Sequence, residues 1–199
     1  DLVYSDFNEF DVATQTVKRG EDEIKDRNSY TLSLDYRKTF KQKDRLLTFN
    51  AYKSQRTDNE HSTILQTNNV LASGNLEQRI FNNEGGDTWS AQTDYIHPIN
   101  AGKIEFGIKH SDKRIDDDYA VEQFNDTIND WDYVPGYKNL VLYSEQVSAS
   151  YLMFGKKIKK FSYQLGVRSE YTQVKTELVA TNDINKRDYL NFFPSTHFS

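Results

Sequence analysis

The stretch LVLYSEQVSASYLMFGKKIKKFSYQLGVRSEY, residues 140–171, decides the fold, because apolar and polar residues alternate along it on both sides of a short basic segment. Side chains alternate between the two faces of a β-strand, so the pattern predicts a long hairpin with its turn at residues 155–160. The predicted apolar face is Val141, Tyr143, Val147, Ala149, Tyr151, Met153, Phe161, Tyr163, Leu165, Val167 and Tyr171. The predicted polar face is Ser144, Gln146, Ser148, Ser150, Ser162, Gln164, Gly166, Arg168 and Glu170.

The same alternation recurs earlier in the chain, at residues 29–37, 45–54, 87–97 and 104–109. The apolar members of these segments are Tyr30, Leu32, Leu34, Tyr36, Leu47, Phe49, Ala51, Trp89, Ala91, Thr93, Tyr95, Ile104, Phe106 and Ile108. For the first pair of segments, pairing Tyr36 with Leu47 and Leu34 with Phe49 keeps the apolar faces together. The sequence therefore predicts an all-β, antiparallel up-and-down meander.

The predicted connections alternate between short and long. The short ones are residues 38–44, 98–102 and 155–160, and the long, polar ones are residues 55–86, 111–139 and 172–188. Residues 1–28 are interpreted as a strand end followed by a charged loop at 18–27, and residues 29–199 as a partial barrel of about six to seven strands. We expect the chain to be a piece of a longer protein.

Composition excludes several classes of protein. The formal net charge of −5 argues against a nucleic-acid partner, and the absence of cysteine excludes disulfides and thiolate chemistry. The sequence contains no run of about 18 apolar residues, so it predicts no transmembrane helix. We find no catalytic motif, so we predict no enzyme and no cofactor. The histidines are scattered, and the acidic segment 116–132 lacks the spacing of a calcium loop, so we predict no metal site.

Two environments fit the alternation: a soluble β-sheet, or the wall of a membrane β-barrel. Three features favour the barrel. Short and long connections alternate, aromatic residues begin and end the apolar segments, and the opposite face carries charges that a packed core does not hold. We expect this polar face to line the lumen through Asp94, Glu105, Lys109, Arg168 and Glu170.

Three segments carry a resemblance to a known family. Residues 35–40 followed by 43–48, the run Gly166-Val167-Arg168-Ser169-Glu170-Tyr171-Thr172, and residues 189–195 followed by 197–199 occur in order. Together they resemble the Bacteroidetes outer-membrane β-barrel family that is related to TonB-dependent receptors. The resemblance spans roughly residues 29–199.

The resemblance implies a barrel in the outer membrane with short periplasmic turns and long extracellular loops. It also implies partners: outer-membrane lipid, the remaining barrel strands, a plug, and TonB acting through the longer protein. The expected function is ligand capture or transport at the cell surface, and the alternative is a soluble or surface-exposed β-sheet module without transport activity. Candidate ligand contacts lie in the acidic, aromatic loop: Tyr119, Phe124, Trp131, Tyr133 and Tyr137.

Overall fold

The protein forms one antiparallel β-sheet of eight strands in sequence order, as described by a computed structural model covering residues 2–70 and 75–199. The strands are β1 (Leu2–Phe7), β2 (Ala13–Thr39), β3 (Leu46–Asn68), β4 (Leu76–Ile99), β5 (Gly102–Asn125), β6 (Asp130–Ile158), β7 (Phe161–Leu178) and β8 (Asp183–Phe198). Every neighbouring pair is antiparallel. This confirms the all-β up-and-down meander, but the strands number eight rather than six or seven.

The prediction that the long connections are loops was wrong, because most of their residues belong to strands. Residues 55–68 and 76–86 extend β3 and β4, residues 111–125 and 130–139 extend β5 and β6, and β7 and β8 pair up to Leu178 and Asp183. Residues 71–74 of the first predicted connection lie outside the described residues. Residues 18–27, also expected to be a loop, belong to β2. The three predicted short turns are present, with strand breaks at 40–45, 100–101 and 159–160.

One physical reason for this error is that parts of the strands above the short turns carry polar residues on both faces. β2, for example, runs for 27 residues, and its segment Glu21-Asp22-Glu23-Ile24-Lys25-Asp26-Arg27-Asn28 contains a single apolar residue. Such a segment has no period-two signal, although its backbone pairs with β3 without interruption from Val17 to Thr39. Backbone hydrogen bonding, which sequence patterning does not report, therefore carries the ladder beyond the apolar region.

The register divides the side chains between two faces. The "apolar face" is the side of the sheet that carries Leu34, Phe49, Tyr95, Phe106 and Val167, and the "polar face" is the opposite side. Tyr36 pairs with Phe49 and Leu34 with Ala51, so the predicted pairing of β2 with β3 was wrong by two residues. Because side chains alternate with a period of two, this shift leaves both faces as predicted.

The predicted faces of β6 were reversed. Leu152 pairs with Phe106 of β5 and with Val167 of β7, whereas Tyr151 pairs with Gly107 and Arg168. Directly paired residues project from the same side of an antiparallel sheet. Val141, Tyr143, Val147, Ala149, Tyr151 and Met153 therefore lie on the polar face. The physical reason is the turn: only residues 159 and 160 separate β6 from β7, and one residue more or fewer would exchange the faces.

Consequently β6 contributes serines to the apolar face in the region where its neighbours contribute apolar residues. These hydroxyls are paired within the sheet. Ser148 Oγ lies 2.9 Å from Nδ1 of His110, and Ser150 Oγ lies 2.9 Å from Oγ of Ser169. Mutual hydrogen bonding lowers the cost of placing polar groups in an apolar environment.

Burial is concentrated on the polar face. Among the described residues, seven of the eight buried side chains project from this face: Ile64, Val121, Ala149, Ser62, Ser90, Asp58 and Thr172. The eighth, Asp112, is paired with Trp89 on the apolar face. On the apolar face Leu34, Phe106, Ile108, Leu152 and Phe192 are exposed. This asymmetry is expected of a sheet that curves towards its polar face. Every residue of β8 is exposed, because β8 forms one edge of the sheet.

Candidate functional site

The apolar face is apolar over only part of its height, in a band bounded by aromatic residues. The upper aromatics are Tyr30, Trp89 and Tyr171, and the lower ones are Tyr36, Tyr95 and Tyr163. Trp89 lies two residues below the hydrogen-bonded row of Tyr30, and Tyr171 lies two below the row of Trp89. The band therefore descends by roughly one residue per strand.

This descent measures the tilt of the strands against the band. A step of about 3.3 Å along a strand for about 4.8 Å between strands corresponds to a tilt of roughly 35°. Strands of outer-membrane barrels tilt by about 35–45° to the membrane normal. The diagonal band is therefore what a tilted sheet shows when its aromatic limits are level with the two surfaces of a membrane.

All five residues predicted for the lumen lie on the polar face. Asp94 is on β4, Glu105 and Lys109 are on β5, and Arg168 and Glu170 are on β7. Arg168 contacts Glu170 two positions along the same strand, and Glu105 contacts Lys103 in the same way. Both acidic residues are thus paired with a cation of their own strand. That this face lines a lumen stays a prediction.

Asp94 is the centre of a hydrogen-bonded cluster on the polar face. The hydroxyl of Tyr151 donates to Asp94 Oδ1 at 2.7 Å, although β5 lies between their two strands. Gln92 Nε2 donates to the same carboxylate at 2.9 and 3.1 Å, and Thr48 Oγ1 is 3.5 Å from Oδ2. Gly107 makes the crossing possible, since a Cβ at that position would collide with Asp94 and with the ring of Tyr151.

Sequence reasoning missed Tyr151 because it assigned this residue to the apolar face. The signal that could have found it is Gly107, a glycine in the interior of a strand, which marks a site where another group approaches the backbone closely.

Above the band, Asp58 holds two arginines on the polar face. Its side chain is 8% exposed. Arg27 Nε donates to Oδ1 at 2.9 Å, and Arg56 donates to Oδ2 from Nε at 3.0 Å and also from Nη2. These hydrogen bonds, Arg56 first, outweigh desolvation and lower the pKa of Asp58 to about 2. Arg56 also lies 3.7 Å from Glu84, so the network joins β2, β3 and β4.

The candidate ligand residues are spread over the upper part of the β5–β6 hairpin. Phe124 and Trp131 form a cross-strand pair next to the turn, with ring centroids 5.5 Å apart. The guanidinium of Arg79 lies 3.7 Å from the Trp131 ring centroid, and Lys138 Nζ lies 3.6 Å from that of Tyr133. Tyr119 is lower on the polar face, paired with Asn82, and so stands apart from the tip cluster.

Tyr137 belongs to a bulge of β6. Residues 134–137 have no partner in the β5 ladder, which passes from Ala120–Lys138 to Glu122–Tyr133. Gly136 has φ of 83°, which suits glycine, and Tyr137 is 55% exposed. A cleft of about 450 Å³ lies beside the bulge, lined by Asn75, Gln123, Asn125, Asp126, Asp132 and Tyr133 among others.

Within residues 2–70 and 75–199, no three His, Asp or Glu side chains come together as a metal site. The described part of the chain also contains no helix with the length and apolarity to cross a membrane.

The tilted band, the opposed faces and the meander define the class of protein, an outer-membrane β-barrel wall. The chain belongs to the outer membrane protein β-barrel family, whose model matches residues 38–199. Its place is therefore the outer membrane, which decides against a soluble sheet. A search of curated proteins found no match.

Similar solved structures have low identity and are much longer. The unliganded ferric citrate transporter FecA is 12% identical, with 94% of this chain and 33% of that chain covered and a TM-score of 0.44. The ferric yersiniabactin uptake receptor FyuA from Yersinia pestis is 15% identical, with coverages of 92% and 26% and a TM-score of 0.41. The FrpB iron transporter from Neisseria meningitidis is 11% identical, with coverages of 92% and 38% and a TM-score of 0.39. The chain spans less than two-fifths of each.

Proposed function

We propose that the chain is part of the wall of an outer-membrane receptor of the TonB-dependent type, which captures a ligand outside the cell and passes it through the barrel. In this proposal the apolar face meets lipid and the polar face lines the lumen. The observation that carries it is the pairing of a tilted apolar band with a polar face rich in charge and hydrogen bonds. The sequence resemblance adds a Bacteroidetes origin to the proposal.

The proposed orientation puts the turns at 40–45, 100–101 and 159–160 in the periplasm. The strands then continue above the band, into the space outside the cell. From Ile108, within the band, β5 continues to Asn125. At about 3.3 Å per residue this is roughly 55 Å of strand, so the tip of the β5–β6 hairpin stands well clear of the membrane. It presents the pair Phe124 and Trp131 as the ligand contact, with Tyr133 and Tyr137 beside it.

The longer protein would supply the remaining strands and a plug within the barrel. The groups available to a plug at the depth of the band are the Asp94–Tyr151 cluster, Lys109 and the pair Arg168–Glu170. TonB would act on the plug rather than on these residues.

The test uses the full-length protein, purified in detergent and titrated with a panel of ferric chelates, oligosaccharides and peptides. We expect at least one probe to bind and the Phe124→Ala/Trp131→Ala double variant to weaken it at least tenfold, since stacking on one ring contributes about 1 kcal/mol. Trp89→Phe, at the upper limit of the band, is the matched aromatic control.

Uptake of that probe by cells is then measured with and without a protonophore. Energised transport predicts that dissipating the proton gradient abolishes uptake while surface binding persists. A panel without any binder, or uptake that ignores the protonophore, would contradict the proposal.

A further inference from the structure

We propose that the end of the sheet formed by the short turns binds the headgroups of anionic phospholipids in the leaflet beside it. We call this end, residues 37–45, 100–103 and 155–160, the basic end. The inference rests on the proposed function in one respect, namely that this end of the sheet borders a membrane surface.

Charge is distributed unequally between the two ends of the sheet. The β6–β7 turn region contributes Lys156, Lys157, Lys159 and Lys160, and Asp44 is the sole acidic residue in the three ranges of the basic end. Counting only the residues between strands, 40–45, 100–101 and 159–160 contain five lysines and arginines and one acid. Residues 8–12, 69–75, 126–129 and 179–182, which join the strands at the opposite end, contain three acids and no lysine or arginine. The chain as a whole has a net charge of −5, so the basic end is a local feature.

The cations of the basic end lie directly beyond the lower aromatic limit of the band. The guanidinium of Arg45 is 4.3 Å from the ring centroid of Phe40, and its Nε donates to the Tyr95 hydroxyl at 2.7 Å. Lys38 Nζ is 5.2 Å from the same Phe40 ring. Aromatic rings favour the interface of a membrane, and long cationic side chains reach from it towards the headgroups. These contacts therefore hold positive charge at headgroup depth.

Little of this charge is neutralised within the chain. Lys103 contacts Glu105, and this is the single ion pair of the basic end among the residues that the structure describes. Lys41, Lys43, Lys157, Lys159 and Lys160 are exposed. Their counter-charge must come from outside the sheet.

An anionic lipid surface fits this arrangement better than an acidic protein. The cations belong to three turns spread along the end of the sheet, from β2 to β7, instead of one compact patch. They also continue the aromatic limit of the band, which follows the lipid surface. Near an anionic leaflet each lysine contributes about 1 kcal/mol, which is roughly a fivefold preference for an anionic over a neutral lipid.

The test measures which lipids the full-length protein retains. The protein is reconstituted in mixtures of phosphatidylcholine and phosphatidylglycerol, released from them, and the bound lipids are counted by native mass spectrometry. The main variant is Lys156→Gln/Lys157→Gln/Lys159→Gln/Lys160→Gln. The control, Lys18→Gln/Lys113→Gln/Lys186→Gln/Arg187→Gln, removes the same charge from exposed cationic side chains away from both the basic end and the hairpin tip.

We expect phosphatidylglycerol to be enriched roughly fivefold over the bulk in the natural protein, and the main variant to lose about half or more of that enrichment. High salt should reduce it, and the control should retain it. Equal enrichment in the main variant, equal loss in the control, or specific displacement by inorganic phosphate at matched ionic strength would overturn the proposal. Binding of an acidic protein to the basic end, without any enrichment of phosphatidylglycerol, would also overturn it. Ligand binding at the hairpin tip, measured on the same variants, reports separately on the proposed function.

Discussion

Neighbouring positions 152 and 153 on β6 test the central structural result, the assignment of the two faces. Leu152 lies on the apolar face near the middle of the band, between Phe106 and Val167, and is 53% exposed. Met153 lies on the polar face between Glu105 and Gly166. The perturbation is one new charge placed on either side of the same strand, as Leu152→Arg or Met153→Arg.

The expected costs differ because the two guanidinium groups meet different surroundings. An arginine on the lipid face near the middle of the bilayer costs about 2–4 kcal/mol. That is a factor of roughly thirty to nine hundred in the folding equilibrium constant. At Leu152 no neighbouring acid offsets the cost. At Met153 the new charge lies opposite Glu105, so we expect a change of less than about 1 kcal/mol.

The assay is urea unfolding of the full-length protein in lipid vesicles, with the folded fraction read from its resistance to SDS without heating. Leu152→Cys and Met153→Cys provide an independent readout through a charged, membrane-impermeant maleimide. We expect rapid labelling of the cysteine at 153 and protection of the one at 152. If the Met153→Arg variant loses as much stability as Leu152→Arg, the assignment of the faces is refuted. If the labelling is reversed, the register of β6 is wrong and the faces predicted from alternation are right.

Three further predictions concern single residues. Gly107→Ala should lower the free energy of unfolding by about 1–3 kcal/mol, since its methyl group must displace Tyr151 or Asp94. Thermal unfolding measures this loss. Tyr151→Phe removes the hydrogen bond alone and should cost less. Asp58→Asn should make the strands above the band less sensitive to acid than they are in the natural protein. In the natural protein the pKa of the Asp58 carboxyl is lowered from 3.8 to about 2, so its stabilising contribution is complete above about pH 4 and is lost as the pH falls towards 2. Proteolysis of the strands above the band, measured as a function of pH, follows this loss. Ile64→Ala should lower the free energy of unfolding by about 2–4 kcal/mol, because Ile64 is 1% exposed, and should speed proteolytic cleavage of the strands above the band while the band stays folded. Its control is Leu65→Ala, at a neighbour that is 54% exposed. Equal cleavage of both variants would refute this prediction.

Most of the sheet within the band could be predicted from the sequence. Alternation in residues 29–37, 45–54, 87–97 and 104–109 marks strands whose apolar members do share one face. These segments were informative because one side of each strand carries apolar residues and the other polar ones. The three short turns were found for the same reason, as interruptions of alternation.

The extensions above the band could not be predicted in this way. Residues 111–118, for instance, read Ser-Asp-Lys-Arg-Ile-Asp-Asp-Asp and indicate a loop, yet they pair with both β4 and β6. The contacts at the tip depend on this pairing, since it brings Arg79 of β4 over Trp131 of β6 across the intervening β5. Aromatic content alone proposed Trp131 as a ligand contact but could not supply its neighbours.

The sequence by itself determined that β6 has an apolar side and a polar side, but only the tertiary structure decided which side faces which surface. Alternation shows that one strand has an apolar side and a polar side. It does not show which of these sides lies with the apolar side of the next strand, a relation that we call the phase of the strand. That phase depends on the number of residues in the turn, here Lys159 and Lys160, and is set again by pairing with β5. Tyr151 reaches Asp94 over Gly107 because of this phase, so the most apolar stripe of the sequence contributes to the polar face.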